Sequence, residues 1–452
     1  MSDLHYLHVL SMAAFAVVAL AVNRRLFHTA VSPLGVWTVT WLVPVGLAVV
    51  PLFDYMPPLK PATLGFLWLA SLGFFAGAVV CGLVSSQFAP VRERTPPSTE
   101  LLLRLRRSAR IALVVSVVAY LVLVYSLGTV PILSPEAANA RVEFRIPYVF
   151  SAFNLGKVGF FLYSVIALLP KRSGLGLTNL DWALLVLYGV MTVTTGWRSE
   201  MLILLLFWGL PVLLLRPGLI SVSWRRVVAA VAVIPLFLAY FYAWDLIRLG
   251  TVTATLTEGR IVAVETSVRE AVAENVGTLT FWGRPLLYVQ PNFVNLQTAM
   301  ELFVGSTLGT ATFGFVLKFL LIEQEVTDWI IRAGYANDLD VYGADQYVGA
   351  YNAVTYLPIL YYDFGAGGAI VASALFGFVA SYFFAKFQCA RMIGPTQIFW
   401  LVELLAAVVL MHNGWILKSP AMYYWLALVA ATEYGPALLR PRRTRSLAAR
   451  TM

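Results

Sequence analysis

Eleven apolar stretches, most of them close to the length of a bilayer-spanning helix, divide this sequence: roughly residues 5–22, 34–53, 62–88, 111–130, 148–169, 180–195, 201–215, 227–245, 366–387, 396–412 and 420–438. A helix crosses the hydrocarbon core of a membrane with about 20 apolar residues. Inside lipid its backbone amides must bond within the segment itself, so the expected fold is all-α and polytopic. Composition agrees: 60% of residues are hydrophobic and 12% charged, with a mean hydropathy of +0.79. A soluble chain of 452 residues needs more polar surface. The first stretch has no basic region before it and is followed by Asn23, Arg24 and Arg25 rather than a small-residue cleavage site, so it is expected to stay as the first helix.

The net charge of +9 excludes little by itself, but its placement is informative. In a membrane protein an arginine excess marks cytoplasmic loops and meets anionic headgroups, so no nucleic-acid partner is inferred. Arg24 and Arg25, the six arginines of 89–110 (Arg92, Arg94, Arg104, Arg106, Arg107 and Arg110), Lys171 and Arg172, Arg216, Arg225 and Arg226, Lys386 and Arg391, and the tail Arg440, Arg442, Arg443, Arg445 and Arg450 fall in every second connection. Twenty of the 32 basic residues thus lie on one side. This predicts a periplasmic N-terminus, a cytoplasmic C-terminus and a bacterial inner-membrane location. Four parts follow: 1–245 with eight helices, a long periplasmic segment at 246–365, three further helices in 366–438, and the basic tail 439–452.

The long segment is too extended to be an idle turn and is expected to carry function. Residues 261–276 have helical apolar spacing with Glu265, Arg269, Glu270 and Glu274 opposite, the pattern of an interfacial amphipathic helix. Residues 286–332 are more apolar, and re-entrant or interfacial helices there would raise the count from about eleven to 12–14. Phosphate-cradling, dinucleotide-binding, H-E-x-x-H and G-x-S-x-G signatures are absent from the sequence, which disfavours ATP-driven transport. Cys81 and Cys389 lack metal-ligand spacing and read as packing residues. Asp338, Asp340 and Asp345 lack the glycine and terminal glutamate of a calcium loop, so no metal or other cofactor is expected.

Cations on the predicted outer side are the candidates for chemistry. Lys157 sits inside the fifth stretch, where a charge either faces a polar cavity or snorkels to headgroups. Arg198 lies in the tight turn Thr195-Gly196-Trp197-Arg198, near the surface, where its planar fork suits a pyrophosphate unless Glu200 neutralises it. Arg145, Arg248 and Arg284 flank the outer ends of helices or the long segment, and together they suit an anionic substrate. His412 at the end of the tenth stretch is eligible as acid, base or phosphate ligand, or is simply interfacial.

The segment 351–384 resembles the late hallmark of Wzy-type oligosaccharide repeat-unit polymerases, through Asn352, Thr355, Asp363, Phe364, Gly365, Gly367 and Gly368. The Gly196-Trp197-Arg198 turn, Lys157 and the long outer segment agree with that family, and the resemblance covers most of 130–435 by topology more than by identity. It implies a GT-C-like membrane glycosyltransferase acting on undecaprenyl-pyrophosphate-linked glycans at the periplasmic face. The expected catalytic residues are Arg198, Arg284, Asp345 and His412, and the pyrophosphate ligands Lys157, Arg145, Arg198 and Arg248. Asn352, Asp363 and Gly365 are expected as a structural motif. The resemblance also implies membrane lipids, a chain-length-regulating co-polymerase and a repeat-unit flippase as partners. O-antigen ligases share this topology and arginine chemistry, and a non-enzymatic flippase or transporter is the alternative of another class.

Overall fold

The computed structural model describes residues 3–29, 31–50, 58–85, 97–131, 147–168, 176–195, 198–215, 290–302, 322–333, 355–411 and 420–439, with residues 307, 312, 316, 317 and 320 between. Its regular elements are helices: α1 (Asp3–Phe27), α2 (Pro33–Trp37), a π-helical turn (Thr38–Leu42), α3 (Val43–Leu47), α4 (Pro61–Ser85), α5 (Thr99–Leu127), α6 (Pro147–Leu168), α7 (Asn179–Thr195), α8 (Arg198–Leu215), α9 (Gln290–Leu302), α10 (Glu323–Arg332), α11 (Leu357–Cys389), α12 (Pro395–Val409) and α13 (Pro420–Leu439). Ten of the predicted stretches coincide with helices or, for 34–53, with the α2–π–α3 run. The eighth, 227–245, lies outside the described residues.

Among these residues, helices spanning His5–Phe27, Pro61–Ser85, Thr99–Leu127, Val149–Leu168 and Leu357–Cys389 are long and apolar enough to cross a membrane. Their outward faces are oily: Leu7, Leu10 and Val17 on α1, Ile111, Val118 and Leu121 on α5, and Val371 and Leu375 on α11 are all exposed. In water such surfaces would aggregate, so their solvent is lipid. The protein is therefore a multi-pass membrane protein.

Two helices are broken, each for a local reason. The second stretch starts cleanly, with Ser32 accepting from the Gly35 amide ahead of Pro33. It then widens into the π-turn just before Pro44, whose ring would meet the carbonyl of Thr40 in regular helix. In α11, Gly365 adopts φ 65° and ψ −176°. That left-handed backbone favours glycine, so the Asp-Phe-Gly motif marks a break within the helix. The helix had been expected to start at 366 but begins at Leu357.

Close packing comes from small residues. α4 lies against α11 where Gly73 and Gly77 face Ile370 and Ala374. A methyl on Gly73 would sit 2.7 Å from the Ile370 carbonyl, and one on Gly77 or Gly377 would collide with the facing backbone. This is the small-xxx-small crossing that lets membrane helices touch backbone to backbone.

At the opposite end of the bundle from Met411, Asp181 of α7 is fully buried. It accepts from Arg106 Nε (2.7 Å), Arg110 Nε (2.8 Å), Tyr163 Oη (2.7 Å) and the Thr178 amide (2.8 Å). Two arginines expected in a cytoplasmic linker and short helix on lipid headgroups thus lie in α5, which is continuous from Thr99 into the span, and clamp it to α6 and α7.

Candidate functional site

Lys157 lies at the centre of α6 and is only 2% exposed, so it does not snorkel to a headgroup. Its ammonium pairs with Glu200 of α8 and stands 4.9 Å from the Trp425 ring centroid of α13. It also interacts electrostatically with Glu403 of α12. Glu200 is 3% and Glu403 1% exposed. Four helices therefore converge on one ammonium and two carboxyl groups. The aromatic face adds to the cation's stabilisation, as rings do for desolvated ammonium groups.

The helices deliver these groups at one level. Ser164 donates to the Phe207 carbonyl at 3.0 Å, seven residues along both chains from the Lys157–Glu200 pair, so α6 and α8 run parallel and in register. Phe161 meets Phe399 edge-on at 4.8 Å, one turn below, and brings α12 alongside. Lys157 follows the start of α6 by ten residues, but Glu200 follows the start of α8 by only two. At 1.5 Å per residue, the described start of α8 lies about 12 Å further along the shared direction than that of α6. Arg198, expected near the membrane surface, opens α8 two residues before Glu200.

A second cluster surrounds the α11 break. The Asp363 carboxylate accepts from Thr307 Oγ1 at 2.5 Å and from the Thr312 amide at 2.6 Å, while the Thr307 amide donates to the Tyr362 carbonyl at 2.9 Å. Asp363 thus ties residues of the long segment to the broken helix. Nearby, the Tyr356 amide donates to the Met411 carbonyl at 2.9 Å, which sets the approach to α11 beside the end of α12. α9 covers this end with buried Asn292, Asn295 and Gln297, and Gln297 Oε1 accepts the Lys60 amide at 2.6 Å.

Of the predicted site residues, Lys157, Asp363 and Gly365 are placed, and the last two act together at the helix break. Arg198 is placed by its backbone alone. Arg145, Arg248, Arg284, Asp345, Asn352 and His412 lie outside the described residues, as does the amphipathic segment 261–276. Glu403 and Trp425 were missed. Glu403 had a readable signal, being the only acid in its apolar stretch, where an ionisable side chain marks a site by default. Among the described residues no three His, Cys, Asp or Glu side chains cluster as metal ligands. Comparison with protein-family models, with curated proteins and with solved structures finds no match to this chain.

Proposed function

We propose that the chain is a membrane glycosyltransferase that polymerises undecaprenyl-pyrophosphate-linked oligosaccharide repeat units at the periplasmic face of a bacterial inner membrane. The observation that carries this reading is that α8 starts at Arg198 while its Glu200 pairs with Lys157. A helix N-terminus presents unbonded amides and a partial positive charge, so an arginine there belongs to a natural receptor for phosphate oxygens. Glu200, two residues on, is engaged by Lys157. In this reading Arg198 meets the lipid pyrophosphate in a cavity of low dielectric, where electrostatic stabilisation is strong.

The chemistry suited to such a site is displacement at an anomeric carbon. The growing glycan leaves its lipid pyrophosphate as the terminal hydroxyl of an incoming lipid-linked repeat attacks. Negative charge builds on the departing pyrophosphate, and a preorganised cation lowers that barrier. In this reading Arg145, Arg248 and Arg284 complete the phosphate receptor, and His412 and Asp345 are the candidates for proton transfer. The Tyr356–Met411 bond supports grouping His412 with the Asn352–Gly365 motif.

The test is the lipid-linked glycan profile of a deletion strain. Single repeats on undecaprenyl pyrophosphate are expected, full-length chains stranded on the carrier would mean a ligase, and inward-facing repeats a flippase. In complemented cells, Arg198→Ala and Arg198→Lys are both expected to lower chain extension by about 10²-fold, since a point charge does not reproduce the fork. Normal chain length in Arg198→Ala at normal protein level would reject the role.

A further inference from the structure

The buried cluster around Lys157 holds one charge too many for a neutral pair. Glu200 balances the ammonium. Glu403, equally buried, adds a second carboxyl group, and neither of its oxygens has a hydrogen-bond partner among the described residues. Asn154, one turn from Lys157 on the same face of α6, likewise has a buried Oδ1 without a partner among them. Oxygens buried in this way carry a desolvation penalty that a bound cation or proton removes.

We infer that Glu403, with Glu200, Lys157 and Asn154, forms a binding site for one monovalent positive charge, either a proton or a sodium ion. The charged and titratable groups packed around it are few. Among the described residues, Lys157 comes from α6, the buried Tyr188, which interacts electrostatically with Glu200, from α7, Glu200 from α8, and Tyr423, which interacts electrostatically with Glu403, from α13. α2 and the π-turn carry no titratable side chain. On α11, Asp363 is engaged by Thr307 and Thr312, and Lys386 stands 5.5 Å from the Tyr382 ring centroid. Among the described residues one ammonium therefore serves two carboxylates, and uptake of a single positive charge brings this cluster to neutrality. A divalent ion would overshoot it. Sodium takes hard oxygen ligands, which the two glutamates and Asn154 supply, and a proton needs Glu403 alone.

The site does not depend on the glycan chemistry proposed above, and it is tested on the full-length protein in detergent without substrate. Infrared difference spectra are recorded between high and low pH, and melting temperature is followed in sodium chloride against choline chloride at equal ionic strength. A proton site gives a carboxylic-acid carbonyl band that is lost in Glu403→Gln, with equal melting in the two salts. A sodium site gives higher melting in sodium chloride, and that difference disappears in Glu403→Gln. Should the glutamine variant not fold, Glu403→Asp takes its place and is expected to shift the band or weaken the sodium effect. Wild-type protein showing neither signal, or showing both unchanged in the variants, would overturn the inference.

Discussion

At the scale of single residues, the buried charges decide what the bundle tolerates. Removing one partner of a desolvated pair leaves the other uncompensated, at a cost of about 3 kcal/mol or more. Lys157→Met strands both Glu200 and Glu403 and is expected to lower thermal stability by that order. Adding Glu200→Gln to the same chain should recover part of the loss, because the double variant has one buried carboxylate fewer. Melting of the two variants in detergent checks this, and a double variant less stable than the single one would remove the pair from the account. The sequence made Lys157 conspicuous as a charge in an apolar run. It did not disclose the partners, since Glu200 stands beside Arg198 in the chain and Glu403 on a helix far downstream. Pairing across helices depends on register, and register is written in the packing of Ser164 on Phe207 and Phe161 on Phe399 rather than in any local motif.

At the scale of elements, apolar runs were legible and their interruptions were not. Length and hydropathy located α1, α4, α6 and α12 closely. They missed the π-turn ahead of Pro44 and the continuity of the short helix within 89–110 with the fourth span, where Leu102, Leu105 and Ala109 are buried between polar neighbours. An amphipathic extension with arginines looks like a separate surface helix when read for charge alone. The α4–α11 crossing was equally hidden, because Gly73 and Gly77 have meaning only against Ile370, Ala374 and Gly377. Gly77→Val is expected to cost about 2 kcal/mol through overpacking. Gly65→Ala, on the same helix with open space around it, should be close to neutral. Thermal melting of both variants checks the contrast, and equal melting would mean that the helices separate without loss.

At the scale of the whole molecule, the alternation of basic connections predicts that residues 107 and 443 face the cytoplasm and residue 60 the periplasm. In a background lacking Cys81 and Cys389, single cysteines at the first two positions should resist a membrane-impermeant thiol reagent in intact cells, and one at 60 should react. Labelling of 443 from outside would invert the orientation and with it the side on which Arg198 opens. The candidate site was half legible at this scale. The family resemblance pointed to Arg198 and the Asp363 motif, but the pairing of Glu200 with Lys157 came from three-dimensional register alone.

The described lengths of two helices have a consequence for the surrounding lipid. The described runs of α7 and α8, 17 and 18 residues, rise about 26 Å each, short of the roughly 30 Å of an average hydrocarbon core. Such hydrophobic mismatch is relieved by local thinning of the bilayer. In the proposed reading, thinning of the leaflet beside α8 brings a phosphorylated headgroup towards Arg198 without its leaving that leaflet. Reconstituted protein should therefore turn over fastest in vesicles of short-chain phospholipids and slow as acyl chains lengthen and resist the dimple. A rate indifferent to chain length would mean that the protein itself, rather than a deformed leaflet, closes the gap.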